Sequence, residues 1–195
     1  MTHSDVLSQI GEKTGVIINR IMTTWSRATR SDVEAGAAWY LEAEGIIDRL
    51  SAQTGHSREK VAAVIAHLSP RTTWLRTVSG ATSLLLSGLA PGCMGANVAR
   101  ANLALGSDDP LGTLNGPKTR RFASNMLGDH QSVTVDVWAL RVALGDPDTD
   151  GMVLRMPGMY EAIEHCYQVA ARRAAVSPTT IQATTWIVAR NGRAN

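Results

Sequence analysis

The chain has 195 residues, 44% of them hydrophobic, and a formal charge of +2; this suits one compact domain or two small lobes, with a core that needs no metal or disulfide staple. Its two cysteines, Cys93 and Cys166, lie far apart with no Cys or His partner nearby, which excludes a zinc site and a four-thiolate iron-sulfur cluster, so no cofactor is expected. The longest apolar run falls well short of the ~20 residues of a membrane span, and the N-terminus "MTHSDVLSQIGEK" is polar, so a soluble cytoplasmic protein with no membrane partner is expected.

Helical periodicity dominates in chain order. In "SDVEAGAAWYLEAEGIIDRLSAQTG", Ser31 and Glu34 have capping-box spacing and Gly55 is placed to end the helix. "HSREKVAAVIAHLS" repeats the scheme with Ser57 as cap and Pro70 as stop. Further helices are predicted over about 72–87, 94–105, 117–127, 137–144, 158–175 and 178–191, each bounded by Gly, Pro or Asp-rich punctuation. Strand signal is confined to "SVTV", too short to build a sheet, so the fold class is all-α. The acidic segment "GDPDTDG" lacks the downstream Glu of an EF-hand loop and reads as turn chemistry, so no metal is assigned.

Basic residues cluster rather than spread: Arg71 and Arg76, Lys118 with Arg120 and Arg121, Arg172 and Arg173, Arg190 and Arg193. Clustering on one face is what a phosphate-binding surface requires, although solvated helix faces collect the same residues. Asp136 follows "VTV" and precedes a helix, an N-cap position that Asp commonly fills. Eighteen residues earlier, "NGPKTRRFASNML" opens another helix with Gly116, Pro117 and Lys118; Pro suits the first helical position, and Gly before it bares backbone N–H groups to a phosphate. Near the C-terminus, Ser177 and Pro178 start a helix on which Gln182 and Trp186 share one face. Trp186, Trp39 and Tyr40 read as core aromatics, whereas Gln182 is suited to reading a base edge or a small molecule.

The stretch "GPKT…VTVDVWALRV" resembles the helix-hairpin-helix DNA glycosylases of the endonuclease III type, whose pattern is G-x-K-T followed by an Asp in "VDTHxxRV", with the same Lys-to-Asp spacing. Upstream, Leu68, Ser69 and Thr73 match the family's "LLSxQxTD", with Arg71 in place of the Gln that enters the space left by the extruded base. The resemblance covers roughly residues 57 to 145. Departures are Leu114 at a hairpin glycine, Pro117 before the lysine, Trp138 in place of a His, and the absence of the C-terminal cluster cysteines.

The resemblance implies a two-lobed helical fold with a helix-hairpin-helix-like element and an interlobe cleft, one lobe over about 55–131 and the other over about 1–54 plus 132–195. It implies DNA as the partner, no specific protein partner, and a base flipped out of the duplex. Asp136 would stabilise the opening sugar or deprotonate the nucleophile, and Lys118 would attack the anomeric carbon as a neutral amine. Arg71, Thr73, Asn115, Gly116, Arg120 and Arg121 would contact DNA, and Trp138 and Gln182 would line the pocket.

"LSPRTTW", "TVDVWALR" and "IQATTW" are also similar to phage-encoded relatives that do not excise a base. There an amine or amino acid, as co-substrate, displaces pyrophosphate from an activated 5-hydroxymethyluracil, in the host cytoplasm. Asp136 would then be the general base and Lys118 a phosphate contact. A third reading is a DNA-binding protein that keeps the fold without the chemistry.

Overall fold

The computed structural model describes residues 2–190. Among them are ten α-helices, one 3-10 turn over Gly151–Arg155 and no strand, and no helix is long and apolar enough to cross a membrane. The helices are α1 (His3–Ser8), α2 (Thr14–Trp25), α3 (Arg30–Thr54), α4 (Arg58–Leu68), α5 (Trp74–Ser87), α6 (Gly95–Gly106), α7 (Pro117–Met126), α8 (Val137–Leu144), α9 (Met159–Ala174) and α10 (Pro178–Ala189). The chain divides into two compact units, the first running to Tyr40 and resuming at His130, the second spanning Leu41–Asp129. The first boundary falls inside α3 rather than at the Gly55 break.

Several caps sit where the sequence places them. The Ser57 hydroxyl accepts the Lys60 N–H that opens α4, and Ser177 does the same for Thr180 before Pro178 at α10. The start of α3 differs. Thr29, not Ser31, closes the capping box, its hydroxyl accepting the Asp32 N–H at 3.2 Å while Asp32 accepts the Thr29 N–H at 2.8 Å. Glu34 instead pairs with Arg30 one turn away at 2.8 Å. Helices α1 and α2 were not expected. The first carries its own capping box between Thr2 and Asp5, and the second buries Ile17, Ile18 and Ile21.

In the second unit, α4 is the central helix. Every residue from Val61 to Leu68 is buried, an all-round apolar pattern that only a helix wrapped by others can carry. Helices α5, α6 and α7 pack around it, and Ala62, Ala63 and Ala66 let them approach closely. Arg58 ties the start of α4 to the second half of α3 through Glu44 at 2.9 Å and Asp48 at 2.7 Å.

In the first unit, α1, α2 and α10 pack on α9, and α8 packs on α2 and α10. The extended "SVTV" segment has no sheet to join and pairs with a helix instead. The Val133 N–H donates to Glu164 Oε1 at 2.8 Å. The Tyr160 hydroxyl donates to the Val133 carbonyl and accepts from the Val135 N–H, both at 2.9 Å, and Gln168 Nε2 donates to the Gln131 carbonyl at 3.0 Å. Four helical residues advance about 6 Å, and two extended residues about 6.6 Å. Tyr160, Glu164 and Gln168, four apart on α9, therefore fall in register with alternate residues of the extended chain. Buried backbone groups left unpaired cost about 1–3 kcal/mol each, so this side-chain ladder stands in for a partner strand and sets where the segment ends, at Asp136.

Candidate functional site

Asp136 is the N-cap of α8. Its Oδ1 accepts the Ala139 N–H at 2.8 Å, and the residue is half-buried. An N–H donated to a carboxylate oxygen and the positive end of a helix both favour the charged carboxylate. The backbone before Asp136 is held by Tyr160 and Glu164, and the helix after it is held by Tyr167, whose hydroxyl donates to the Ala139 carbonyl at 2.9 Å.

Tyr40 feels the charge of Asp136 and is bonded to Thr134 and Gln182. The buried Tyr40 hydroxyl donates to Gln182 Oε1 at 3.2 Å. Burial pushes this phenol well above its ordinary range; the Thr134 hydroxyl, bonded to it, pulls the other way, and the charge of Asp136 adds to the rise. Burial likewise raises Tyr167, opposed by Thr185 and reinforced by Asp136. Both phenols are therefore neutral at physiological pH and act as hydrogen-bonding groups. With Oε1 of Gln182 engaged, its Nε2 amide is the side-chain end with donors to offer.

The first unit carries Asp136, Trp138 and Gln182 of the sequence-predicted residues. It adds Tyr40 and Thr134, which sequence reading left in the core or unremarked. Trp138 is half-buried, flanked by the guanidinium groups of Arg141 and Arg190. Arg193, the other member of the C-terminal basic pair, lies outside the described residues. Cys166 is buried and its thiol is pushed up to about 12 by burial, so it packs as an apolar group at neutral pH. No group of three His, Cys, Asp or Glu side chains among the described residues is placed to hold a metal. The Asp residues of "GDPDTDG" bond their own loop: Asp146 accepts from the Asp148 N–H at 2.9 Å and the Thr149 hydroxyl at 2.7 Å, and Asp150 from the Met152 N–H at 2.8 Å.

The second unit carries the remaining predicted residues. Gly116 caps α7 with φ +82°, a left-handed backbone that suits glycine, and Pro117 takes the first helical position. Lys118 is the next residue, half-buried. Asn115 is exposed, and its carbonyl accepts the Thr119 hydroxyl at 2.6 Å. Arg120 folds back so that its Nε donates to the Leu114 carbonyl at 3.0 Å. Leu114 itself is 1% exposed, so it anchors the loop by burial. Arg121 is half-buried on the same helix.

Arg71 and Thr73 share one turn between α4 and α5. Thr73 is the N-cap of α5, its hydroxyl accepting the Arg76 N–H at 3.4 Å. Arg71 is exposed and adopts φ +59°, a strained value for a residue with a side chain. Its neighbours enforce it: Asn97 Nδ2 donates to the Pro70 carbonyl at 3.2 Å, and the Thr72 N–H returns to Ser69 at 3.2 Å. Replacing Arg71 by glycine is expected to raise stability by roughly 1 kcal/mol, since the left-handed penalty vanishes. Urea denaturation measures the effect, and an Arg71→Gly protein no more stable than the wild type would show that this backbone carries no strain.

A family model described as "Family of unknown function (DUF7178)" matches residues 3–193, nearly the whole chain. No curated protein and no solved structure matches it.

Proposed function

The chain belongs to DUF7178, a family of unknown function, and on that footing we propose that it is a DNA-binding enzyme acting on a base turned out of the helical stack, with Asp136 as the working carboxylate. The observation that carries this reading is the way Asp136 is held. A carboxylate fixed by the Ala139 N–H at 2.8 Å lies within electrostatic reach of the neutral Tyr40 phenol, which is joined to the Gln182 amide at 3.2 Å. A base offers donors and acceptors that phenol and amide groups can match, while a sugar losing its base gathers positive charge that a fixed carboxylate stabilises. Water adds at the anomeric carbon, Asp136 takes its proton, and the base leaves with the electron pair of the glycosidic bond.

Lys118, in the second unit, is the amine assigned to a lyase step. As nucleophile it would form a Schiff base with the sugar aldehyde, which borohydride reduces to a stable protein–DNA adduct. On DNA containing a damaged or abasic nucleotide, the wild-type protein is expected to give a trapped species on a denaturing gel, and Lys118→Ala to give none. Base release without any trapped species would leave Asp136 as the catalyst and Lys118 as a phosphate contact. Amine-dependent pyrophosphate release from DNA bearing activated 5-hydroxymethyluracil, with no base release, would replace excision by group transfer.

A further inference from the structure

Two tryptophans and two arginines meet where α8 packs on α10. Trp138 and Arg141 lie three residues apart on α8, and the Arg141 guanidinium carbon stands 5.0 Å from the centre of the Trp138 ring. Trp186 and Arg190 lie four apart at the end of α10, with the Arg190 carbon 4.5 Å from the Trp186 ring and 5.6 Å from that of Trp138. These spacings put each pair on one helix face, and the packing of the two helices lets Arg190 serve both indoles.

A guanidinium laid against an aromatic face is held there by the ring, while its N–H donors, which lie in its own plane, stay open at the edge. Arg141 uses its Nε on the Thr149 carbonyl at 3.0 Å, which fixes its plane and leaves the two terminal amino groups. Neither arginine is in an ion pair among the described residues. Asp146 is the acid that feels Arg141, but its oxygens are engaged by the Asp148 N–H and the Thr149 hydroxyl. All four side chains are half-buried. A pair of oriented guanidinium groups outside any ion pair among the described residues matches a phosphate, whose oxygens accept paired N–H donors. Trp138 stands two residues beyond Asp136 and Arg141 five.

Resting on the nucleic-acid reading above, we infer that Arg190, braced by Trp186 and Trp138, forms with Arg141 a phosphate site, and that its ligand is a backbone phosphate of the DNA strand whose base is offered to Asp136. A stacked, planar cation does here what a flexible lysine does poorly: it presents donors in a fixed direction.

The test is fluorescence anisotropy of the full chain with a labelled duplex over a series of salt concentrations, with a parallel titration of inorganic pyrophosphate followed through the tryptophan indole N–H signals. Arg190→Ala is expected to weaken duplex binding about tenfold and to lower the slope of log affinity against log salt by about 0.9, one phosphate's worth. Arg190→Lys, which keeps the charge and loses the plane, is expected to keep the slope and lose several-fold in affinity. Unchanged affinity and slope in Arg190→Ala overturn the site while leaving the DNA reading standing. Pyrophosphate-induced indole shifts that vanish in Arg190→Ala, in a protein that binds no DNA, uphold the phosphate site with a free phosphoryl ligand and sink the DNA reading. Neither duplex binding nor pyrophosphate shifts in the wild type sinks both. A circular dichroism spectrum matching the wild type confirms that Arg190→Ala is folded, and Arg190→Lys carries the test if it is not.

Discussion

Gly36→Ala is expected to destabilise the protein by about 3 kcal/mol, lowering its melting temperature by roughly 10 °C. Gly36 lies on α3 where that helix meets α10. A Cβ there would stand 2.7 Å from the Thr184 backbone nitrogen and 2.9 Å from its Cα, besides striking the Thr184 hydroxyl. Backbone atoms of a packed helix cannot swing aside as a side-chain tip can, so α3 and α10 must separate. The Thr184 hydroxyl is buried without a hydrogen-bond partner, which fits a crossing too tight to admit water. Gly45 on the same helix supplies the control. A Cβ there meets only the flexible end of Arg49 at 3.5 Å, so Gly45→Ala is expected to stabilise by about 0.5–1 kcal/mol through helix propensity. Thr184→Ala is expected to rescue only part of the Gly36→Ala loss, since the collision with the backbone of residue 184 remains. Urea melts of these variants beside the wild type measure the series, and a Gly36→Ala protein as stable as wild type would contradict the close crossing.

How much of this was legible in the sequence depends on the range of the interaction. Caps and stops are local, and Ser57, Ser177, Pro117 and Asp136 announce their helices within three residues. Helix α2 was not legible because its buried residues Ile17, Ile18 and Ile21 are β-branched, weak helix formers whose burial comes from packing against α8, α9 and α10. The unit boundary at Tyr40 was hidden for the opposite reason: α3 runs through it without punctuation. The ladder that holds "SVTV" joins residues 25 to 37 apart in sequence, and the Tyr40–Gln182 bond joins residues 142 apart. In the sequence, the ladder leaves only a four-residue recurrence of Tyr160, Glu164 and Gln168 on a helix face that reads as ordinary amphipathic polarity. Polar side chains that serve distant backbone carry no periodic signature of their own, which is why Asp136 could be read while the residues that position it could not.

With Asp136 as the carboxylate of the proposed DNA-acting enzyme, Asp136→Asn is expected to cut turnover by a factor of about 10² to 10⁴ while leaving folding and DNA binding intact. The two roles of Asp136 can be separated because Asn and Asp are equally good N-caps. The bond from the Ala139 N–H, 2.8 Å in the wild type, passes to the Asn carbonyl oxygen, so α8 and the Trp138 face that follows it are kept. The negative charge is lost. Asp136→Ala removes the cap as well and is expected to cost about 1 kcal/mol of stability beyond the Asn variant. A structural carboxylate would give the reverse ranking, with Asp136→Ala damaging and Asp136→Asn silent in turnover and stability. The charge has a second readout that needs no substrate. Because it helps hold the Tyr40 and Tyr167 phenols above their ordinary range, behind the larger effect of burial, Asp136→Asn is expected to shift both titrations downward. Spectrophotometric titration of the tyrosines, with Tyr40→Phe and Tyr167→Phe to assign them, measures that shift. An Asn variant with wild-type turnover on the substrate that the wild type processes would remove Asp136 from the chemistry and leave it a helix cap alone.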